Sequence, residues 1–579
     1  MTEQLSKTLR TRTVRAFATV AAHPVFAYSS IMAIQLRVIW DFWSGLDLTT
    51  GDTSGYFTVA QVWAASFKNV FFWSPLYTAY YGTVLKVIGN PVTATLIHRL
   101  IVVFAVTALV LALTRRLLPA GAAWLVTAWW AVLPINFDTL YEVHLFALVP
   151  TLVAILLVAK EPSHGRRASA LAIFASSTVL VRNEMVFATL IFGAMCLWAL
   201  LAEARRSGGL RSFVRLLSPY LVGAAAVALI VTFFYSRSTV QFPALADTLR
   251  ERRTVNFCQA YAFNHRQRNP EWSGNPFLDC GELMASTFGT EGDTELAGPS
   301  FTEALRLNPD AVLAYVRWNA VLAPNGIQLA LFNGTSGSES PDYVPVAVNQ
   351  LLPWILSIIC LLVLLGGAWA FLEDRHFWVD WVTARRWPLL AMAAPAFGAV
   401  IVMLQQRPRP SYMFAFTLFL MVLIGFCLHA LLRSWGAGNL LAASVVPMAV
   451  VLIISAPSPY TGRSKPLQEI YDRLRPYASE LSRTPTAVPG YGTELCRYLA
   501  VGDCKIVDYW ATLRPPAEAG GSLETVLDQS DIALFYADTA VLNDPIMAPV
   551  VGRTNSKWTM VDGEAGRWAL FRRVPDTNP

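Results

Sequence analysis

The stretch 94-ATLIHRLIVVFAVTALVLALT-114 decides the fold class. It is a nearly continuous apolar run, and about 20 apolar residues make a helix long enough to cross a bilayer. Arg115 and Arg116 follow it directly, and basic residues collect at the cytoplasmic ends of spanning helices. The stretch therefore predicts a transmembrane helix that ends on the cytoplasmic side.

The composition of the whole chain agrees with a membrane protein. Of its 579 residues, 55% are hydrophobic and only 15% are charged, whereas a soluble protein carries about 25% charged residues. A basic leader without a cleavage site precedes the first apolar run and predicts an uncleaved anchor with a cytoplasmic N-terminus. The net charge of +6 then reflects topology and gives no sign of a nucleic-acid partner.

Similar apolar runs recur along the chain and predict eleven spanning helices. They lie near 18–38, 94–114, 119–137, 141–159, 168–182, 185–203, 217–235, 346–372, 388–405, 411–432 and 437–455. With this count, the basic clusters between helices all fall in cytoplasmic connections. The count requires that 71-FFWSPLYTAYYGTVLKVIG-89 lie at the outer interface, which its aromatic residues, Pro75 and glycines favour; if it spanned, every later loop would invert.

The predicted fold is therefore a mainly α polytopic membrane protein of about eleven transmembrane helices. An N-terminal transmembrane core (1–236) carries an external loop (39–93), and a large external loop (237–345) follows. Further transmembrane helices (346–455) lead to an external α/β domain (456–579). In that domain 485–492, 505–511 and 531–537 read as buried strands, and 557–574 reads as a hairpin turning at Gly563 to Gly566.

Cysteine placement agrees with the predicted topology. Cys196, Cys360 and Cys427 fall in predicted helices, whereas the other four cysteines form two local pairs in the external parts. An oxidising compartment permits such pairs to form disulfides; buried free thiols are the alternative. The predicted disulfides are Cys258–Cys280 and Cys496–Cys504.

Ionisable residues recur in four turns at the predicted outer membrane face. Carboxylates and arginines that line a protected cavity at a membrane boundary are functional candidates, because burying them unpaired is costly. Each also has a structural explanation, as a helix cap, a favourable charge at a helix amino end or an arginine reaching the headgroups. The residues are Asp52 and Tyr56; Asp138, Glu142 and His144; Arg182 and Glu184; Arg407, Arg409 and Tyr412.

The order of these parts resembles a known family. An acidic residue and a tyrosine follow the first helix, 74-SPLYTAYYG-82 forms an aromatic block, and Arg99 opens the next helix. A second acidic turn, an Arg-x-Glu turn and the late 407-RPRPSY-412 follow. This layout resembles the GT-C superfamily of polyprenyl-phosphate-sugar-dependent glycosyltransferases, and most closely its bacterial protein-mannosyltransferase-like and lipid A aminoarabinose-transferase-like branch.

The resemblance implies roles for the candidate residues. Asp52 matches the catalytic base, with Tyr56 beside it, and Glu142 matches the second acidic position, for which Asp138 is a rival. Arg182 and Glu184 match an Arg-Pro-Glu-like turn in which Asn183 replaces the proline. Arg409 and Tyr412 match a position that holds the donor phosphate, although two residues separate them.

One departure from the family bears on the donor phosphate. Relatives often have Glu-Lys-Pro where this chain has 73-WSP-75, so the lysine that would touch phosphate is missing. Arg407, Arg182 or an arginine of the large loop, such as Arg266 or Arg268, must then supply its charge.

The resemblance implies an inverting transferase in the bacterial inner membrane, with its C-terminal domain periplasmic or extracellular. Its partners would be a lipid-linked sugar donor, membrane lipids and a glycan, lipid or protein acceptor. No cofactor is firmly predicted: HExxH and CxxC motifs are absent, and a divalent cation held by external carboxylates stays open. A flippase for a lipid-linked sugar, a glycan polymerase or ligase, and a non-enzymatic scaffold are the alternatives.

Overall fold

The computed structural model describes residues 16–45, 52–70, 74–134, 142–160, 162–207, 210–239, 244–289, 298–343, 346–459, 466–489, 495, 498–499, 505–551 and 557–574. Contacts between Cα atoms divide the chain into two compact units. The first comprises residues 1–40, 66–80 and 99–459, and the second comprises 41–65, 81–98 and 460–579.

Helices account for most of the described residues before the C-terminal region. Those up to residue 236 are α1 (Ala16–Ala22), α2 (Pro24–Val38), α3 (Phe42–Gly45), α4 (Asp52–Ser66), α5 (Pro75–Ile88), α6 (Pro91–Leu117), α7 (Ala120–Val132), α8 (Glu142–Leu157), α9 (His164–Leu180), α10 (Val186–Ser207) and α11 (Leu210–Ser236). Those that follow are α12 (Ala244–Arg268), α13 (Cys280–Phe288), α14 (Phe301–Leu307), α15 (Pro309–Phe332), α16 (Leu351–Glu373), α17 (Arg375–Ala384), α18 (Arg386–Gln405), α19 (Pro410–Ser434) and α20 (Gly438–Ser455).

Six helices in the described part of the chain are long and apolar enough to cross a membrane, and the bent pair α1–α2 would make a seventh. Other predicted spans fold as shorter helices, such as α7 with 13 residues and α8 with 16. A 13-residue helix rises only about 20 Å, less than the roughly 30 Å of a bilayer core. The count of eleven spans, the orientation and the interfacial placement of 71–89 therefore stay predictions.

The region between α11 and α16 has its own small core. Phe257, Tyr261, Met284 and Tyr315 are buried together on α12, α13 and α15. The disulfide Cys258–Cys280 joins α12 to the first residue of α13, which confirms that predicted pair. Cys196, Cys360 and Cys427 are free thiols, as predicted. Cys496 and Cys504 lie outside the described residues.

The C-terminal region contains a five-stranded mixed sheet. Its strands are β1 (Thr486–Val488), β2 (Ile506–Asp508), β3 (Leu534–Asp538), β4 (Trp558–Glu564) and β5 (Trp568–Arg573), in the order β2-β1-β3-β5-β4. β1 pairs in parallel with β2 and β3, whereas β5 is antiparallel to β3 and β4. The predicted hairpin is confirmed, and a strand overlaps each of the three predicted segments; the strand predicted over 505–511 is shorter, because a helical segment begins at Tyr509.

Short helices cover the sheet. They are α21 (Pro466–Leu474), α22 (Ala478–Leu481), α23 (Arg514–Glu518), α24 (Leu523–Gln529), α25 (Thr539–Leu542) and α26 (Ala548–Val551). Phe535 on β3 and Phe571 on β5 are register partners, and both are buried in one core with Leu527 of α24 and Val541 of α25. Burial of such side chains drives the packing of helices on a sheet.

Candidate active site

Two arginines lie in the turn between α18 and α19. α18 ends at Gln405, and α19 begins at Pro410, a residue whose fixed φ suits the first helical position. Arg407 is 0% exposed, and the side chain of Arg409 is 13% exposed. A buried guanidinium is costly unless other groups offset its desolvation, so the neighbours of this pair decide what it can do.

Arg407 has few polar neighbours for a completely buried cation. Its Nη2 donates to the carbonyl oxygen of Ser340 at 3.1 Å, and its guanidinium lies over the rings of Phe263 at 4.3 Å and Tyr343 at 4.9 Å. Its Nε and Nη1 have no hydrogen-bond partner among the described residues. Burial lowers the pKa of Arg407 from its ordinary value, yet an arginine stays protonated in proteins.

Arg409 is paired with a buried carboxylate. Its Nε lies 3.5 Å from Oδ1 of Asp342, whose side chain is 0% exposed. The same Oδ1 accepts a hydrogen bond from the backbone N–H of Tyr343 at 2.7 Å. The Arg409 guanidinium also lies over the Tyr343 ring at 4.3 Å. Tyr343 therefore contacts both arginines of the turn.

Helix α15 holds the backbone of the arginine turn. The hydroxyl of Tyr315 donates to the carbonyl oxygens of Gln405, at 3.1 Å, and Gln406, and the Asn319 amide donates to the carbonyl of Leu404 at 2.9 Å. At Gly326 an added Cβ would stand 2.2 Å from the carbonyl oxygen of Pro408, so only glycine permits this approach. The large loop thus fixes the turn that carries the arginines.

A second turn places Arg182 and Glu184 near the arginine turn. Nε of Arg182 donates to Oε2 of Glu184 at 3.1 Å, and a second contact makes the pair bidentate. The Tyr412 ring lies 6.0 Å from the Arg182 guanidinium and 5.7 Å from that of Arg409. His144 packs edge-on against Tyr412, with ring centroids 5.2 Å apart. The structure therefore brings together predicted residues from α8, the 182–184 turn and the start of α19.

Glu142 begins α8 and forms a buried ion pair. Nη1 of Arg99 donates to Oε2 of Glu142 at 2.7 Å, and the two side chains are 2% and 5% exposed. The remaining Arg99 donors, Nε and Nη2, have no partner in the described ranges. Such a pair fixes the position of the carboxylate.

Asp52 and Tyr56 belong to the second compact unit. Asp52 is the first residue of α4 and is exposed, whereas Tyr56, one turn later, is buried. The helix that carries both residues runs from Asp52 to Ser66. A carboxylate in the first turn is favoured by the helix dipole and, being exposed, is open to a substrate.

A metal site has no support from the described residues. They contain no group of three histidine, cysteine or acidic side chains arranged to hold an ion. Glu142 and His144 are two positions apart on α8, so their side chains leave the helix in different directions. The rival acidic position, Asp138, lies outside the described residues.

Ser340, Asp342 and Tyr343 contact the arginines and were not predicted from the sequence. They lie in the segment between α15 and α16, and Ser340 is 67 positions from its partner Arg407. The polar stretch 336-SGSESPDY-343 was only a weak indication of a site, because the local sequence does not determine which arginine this loop contacts.

Comparisons with known proteins found only weak structural likenesses. No family model and no curated protein matches the chain. A crystal structure of the Archaeoglobus fulgidus oligosaccharyltransferase complex with Zn and sulfate matches with 12% identity and a TM-score of 0.41, covering 92% of this chain and 70% of that chain. The archaeal oligosaccharyltransferase AglB from Archaeoglobus fulgidus, in complex with an inhibitory peptide and a dolichol-phosphate, matches with 11% identity and a TM-score of 0.36, covering 92% and 70%. ArnT from Cupriavidus metallidurans bound to undecaprenyl phosphate matches with 10% identity and a TM-score of 0.31, covering 95% and 98%.

Proposed function

We propose that this chain is an inverting glycosyltransferase of the bacterial inner membrane. It moves a sugar from a polyprenyl-phosphate-linked donor to an acceptor at the outer face. The acceptor is a cell-envelope glycan, a lipid or a protein, and the transferred sugar is a hexose or a pentose. The observation that carries the proposal is the buried arginine turn, in which two donor nitrogens of Arg407, Nε and Nη1, have no partner among the described residues.

The arginine turn suits a phosphate group. Guanidinium groups bind phosphate oxygens through paired, charge-assisted hydrogen bonds, and burial strengthens such bonds because water does not compete for the donors. Hydrogen bonds from α15 hold the backbone just before Arg407 and Arg409, and the Tyr343 ring packs against both guanidinium groups. Arg407 therefore takes over the charge of the lysine that 73-WSP-75 lacks.

Departure of the phosphate is the step that these arginines assist. The bond between C1 of the sugar and the phosphate oxygen breaks, and its electron pair stays on that oxygen. The leaving group becomes a phosphate monoester with a second negative charge. Donors already aimed at the place where charge develops stabilise the transition state more than the ground state.

Attack on C1 needs a proton acceptor, and we assign Asp52 to that role. The acceptor hydroxyl loses its proton to the Asp52 carboxylate while its oxygen bonds to C1 from the face opposite the phosphate. General base catalysis of this kind contributes about 10²–10⁴-fold. A single displacement inverts the anomeric centre. The exposure of Asp52 at the start of α4 supports this assignment.

Glu142 takes a positioning role in this scheme. Its Oε2 already accepts a hydrogen bond from Arg99 at 2.7 Å, and this contact fixes the position of the side chain. A carboxylate held in this way can accept a further hydrogen bond from the acceptor and orient it. Tyr412, between Arg182 and Arg409, forms one wall of the phosphate site.

The proposal is tested with purified protein in liposomes that contain a polyprenyl-phosphate sugar labelled at C1. We expect labelled product and free polyprenyl phosphate in equal amounts, with product configuration opposite to that of the donor by NMR. Protein-free liposomes and the Arg407→Gln variant serve as controls. Movement of intact donor across the bilayer without release of polyprenyl phosphate would instead identify a flippase and reject the proposal.

A further inference from the structure

The segment Ser340–Tyr343 completes the arginine site from the large loop, and its one carboxylate is placed against the cations. Asp342 is buried and lies 3.5 Å from Nε of Arg409. It accepts a hydrogen bond from the backbone N–H of Tyr343, whose ring contacts both arginines. A buried carboxylate at this point is a feature that phosphate binding alone does not require, because it repels a bound anion.

The segment is anchored and therefore holds Asp342 in place. The carbonyl oxygen of Ser340 accepts from Nη2 of Arg407 and from the Gln267 amide of α12, at 2.8 Å. The Asn325 amide of α15 donates to the carbonyl of Glu339 at 3.0 Å. These bonds tie the segment to the same helices that hold the arginine turn, so Asp342 stays beside Arg409 when a ligand enters.

Among the described residues, the charges in the buried part of the site add up to one net positive charge. Arg407 and Arg409 supply two positive charges and Asp342 one negative charge, while the Arg182–Glu184 pair is neutral. Arg266 touches the ring of Phe263 that Arg407 also touches, but it is exposed and solvent ions screen it. Tyr315, Tyr343 and Tyr412 are titratable groups beside the pair in the described part of the chain, and His144 packs on Tyr412.

The ligand changes its charge during the proposed reaction. A polyprenyl-phosphate sugar is a phosphodiester and carries one negative charge. The released polyprenyl phosphate is a monoester, which approaches two negative charges above pH 7 because its second pKa is about 6. A site with one net positive charge neutralises the single negative charge of the donor, but it leaves one negative charge of the product uncompensated.

From this relationship we infer that Asp342 is a charge-matching residue that makes the arginine site selective for the monoanionic donor over the dianionic product and so promotes product release. The inference rests on the proposed function. Asp342 acts through Arg409 and through like-charge repulsion, so it is a positioning and specificity residue and does not take part in bond breaking.

The test is equilibrium binding of two probes to the detergent-solubilised full chain at pH 8: decaprenyl phosphate and its methyl diester. The wild type is expected to bind the two within about threefold of each other despite the extra charge of the monoester. Asp342→Asn is expected to bind the monoester about tenfold more tightly and the diester only about threefold more tightly, because the Coulomb energy scales with the charge of the ligand. Asp342→Glu keeps the charge and is expected to restore wild-type selectivity.

Asp374→Asn is the matched control, because Asp374 pairs with Arg433 at 3.6 Å elsewhere in the same unit. It is expected to leave both affinities unchanged. Equal tightening of both probes by Asp342→Asn, or no tightening, would overturn the inference. If the Asn variant does not fold, the wild type alone decides: monoester binding more than tenfold tighter than diester binding contradicts charge matching.

Failure of the proposed function gives a different pattern. In that case the wild type binds neither probe above the level of Arg407→Gln, and the inference falls together with the donor site. Binding of both probes that depends on Arg407 but not on Asp342 overturns the inference while the donor site stands.

Discussion

Arg99 and Glu142 form an almost completely buried ion pair between α6 and α8, with a nitrogen–oxygen distance of 2.7 Å. Removal of one partner leaves an uncompensated buried charge, which typically costs about 3–5 kcal/mol. We expect Glu142→Gln to lower the midpoint of thermal unfolding in detergent strongly. The double variant Arg99→Leu with Glu142→Leu is expected to lose less than the sum of the two single changes.

Glu282→Gln is the control for this prediction, because Glu282 is exposed on α13. Surface changes of this kind stay within about 0.5 kcal/mol. Equal midpoints for Glu142→Gln and Glu282→Gln would show that the pair does not stabilise the fold and would remove the reason to assign Glu142 a fixed position.

Arg407 is the residue on which donor affinity should depend most. Losing a charge-assisted hydrogen bond costs about 1.5–3 kcal/mol, so Arg407→Gln is expected to weaken decaprenyl phosphate binding roughly 10- to 100-fold. Arg407→Lys is expected to fall between the wild type and the glutamine variant, because an ammonium group cannot form the paired contact of a guanidinium.

Arg433→Gln provides the comparison for Arg407. Arg433 also lies over an aromatic ring, that of Phe377 at 3.5 Å, and also has an acidic neighbour, but it ends α19 rather than preceding it. Its replacement is expected to leave the affinity unchanged. If both variants weaken binding equally, the effect is one of overall charge and the arginine turn is not the phosphate site.

Asp544 links the stability of the C-terminal sheet region to pH. Burial alone would raise the pKa of its carboxyl, but hydrogen bonds from the Ile546 N–H, Arg514 and Tyr509 lower it below the ordinary value. A carboxyl with a lowered pKa stabilises the fold at pH values above its unfolded pKa of about 3.9, and this contribution is lost as the pH falls through the folded value.

We therefore expect the wild-type sheet region to lose stability below about pH 4, and Asp544→Asn to be less stable at pH 7 and less sensitive to acid. Hydrogen exchange of β3 and β5 amides in the full chain measures both effects. Asp531→Asn is the control, since Asp531 is 88% exposed. An acid response in Asp544→Asn as steep as that of the wild type would contradict the assignment.

Much of the helical fold could be predicted, because a long apolar run favours a helix and basic residues mark its end within the same short stretch of sequence. The strands of the C-terminal region could also be predicted. The segments 531-DIALFYA-537 and the hairpin around Gly563 are rich in strand-forming residues and are bounded by turn residues. The sequence could not show whether the shorter helices cross the membrane, because α7 and α8 are mostly apolar but shorter than a span.

The site could be predicted only where residues sit in recognisable turns. Arg182, Glu184, Arg409 and Tyr412 were predicted from such turns, and the structure brings them together. Asp342 was not predicted, because its meeting with Arg409 depends on how α12 and α15 fold back on the arginine turn. Pairings at such long sequence separations are set by packing and leave no local pattern.

The central claim is that Asp52 takes the proton in a sugar transfer. Transfer from a polyprenyl-phosphate sugar is measured in liposomes with the wild type, Asp52→Asn and Asp310→Asn, at matched protein amounts and with donor binding checked for each. Asp310 is an exposed aspartate in the first turn of α15 and controls for loss of a helix-end charge. We expect Asp52→Asn to bind donor normally and to transfer at least about a hundredfold more slowly, with Asp310→Asn unchanged. Transfer by Asp52→Asn at the wild-type rate would contradict the claim and leave Asp52 as a helix-end charge alone.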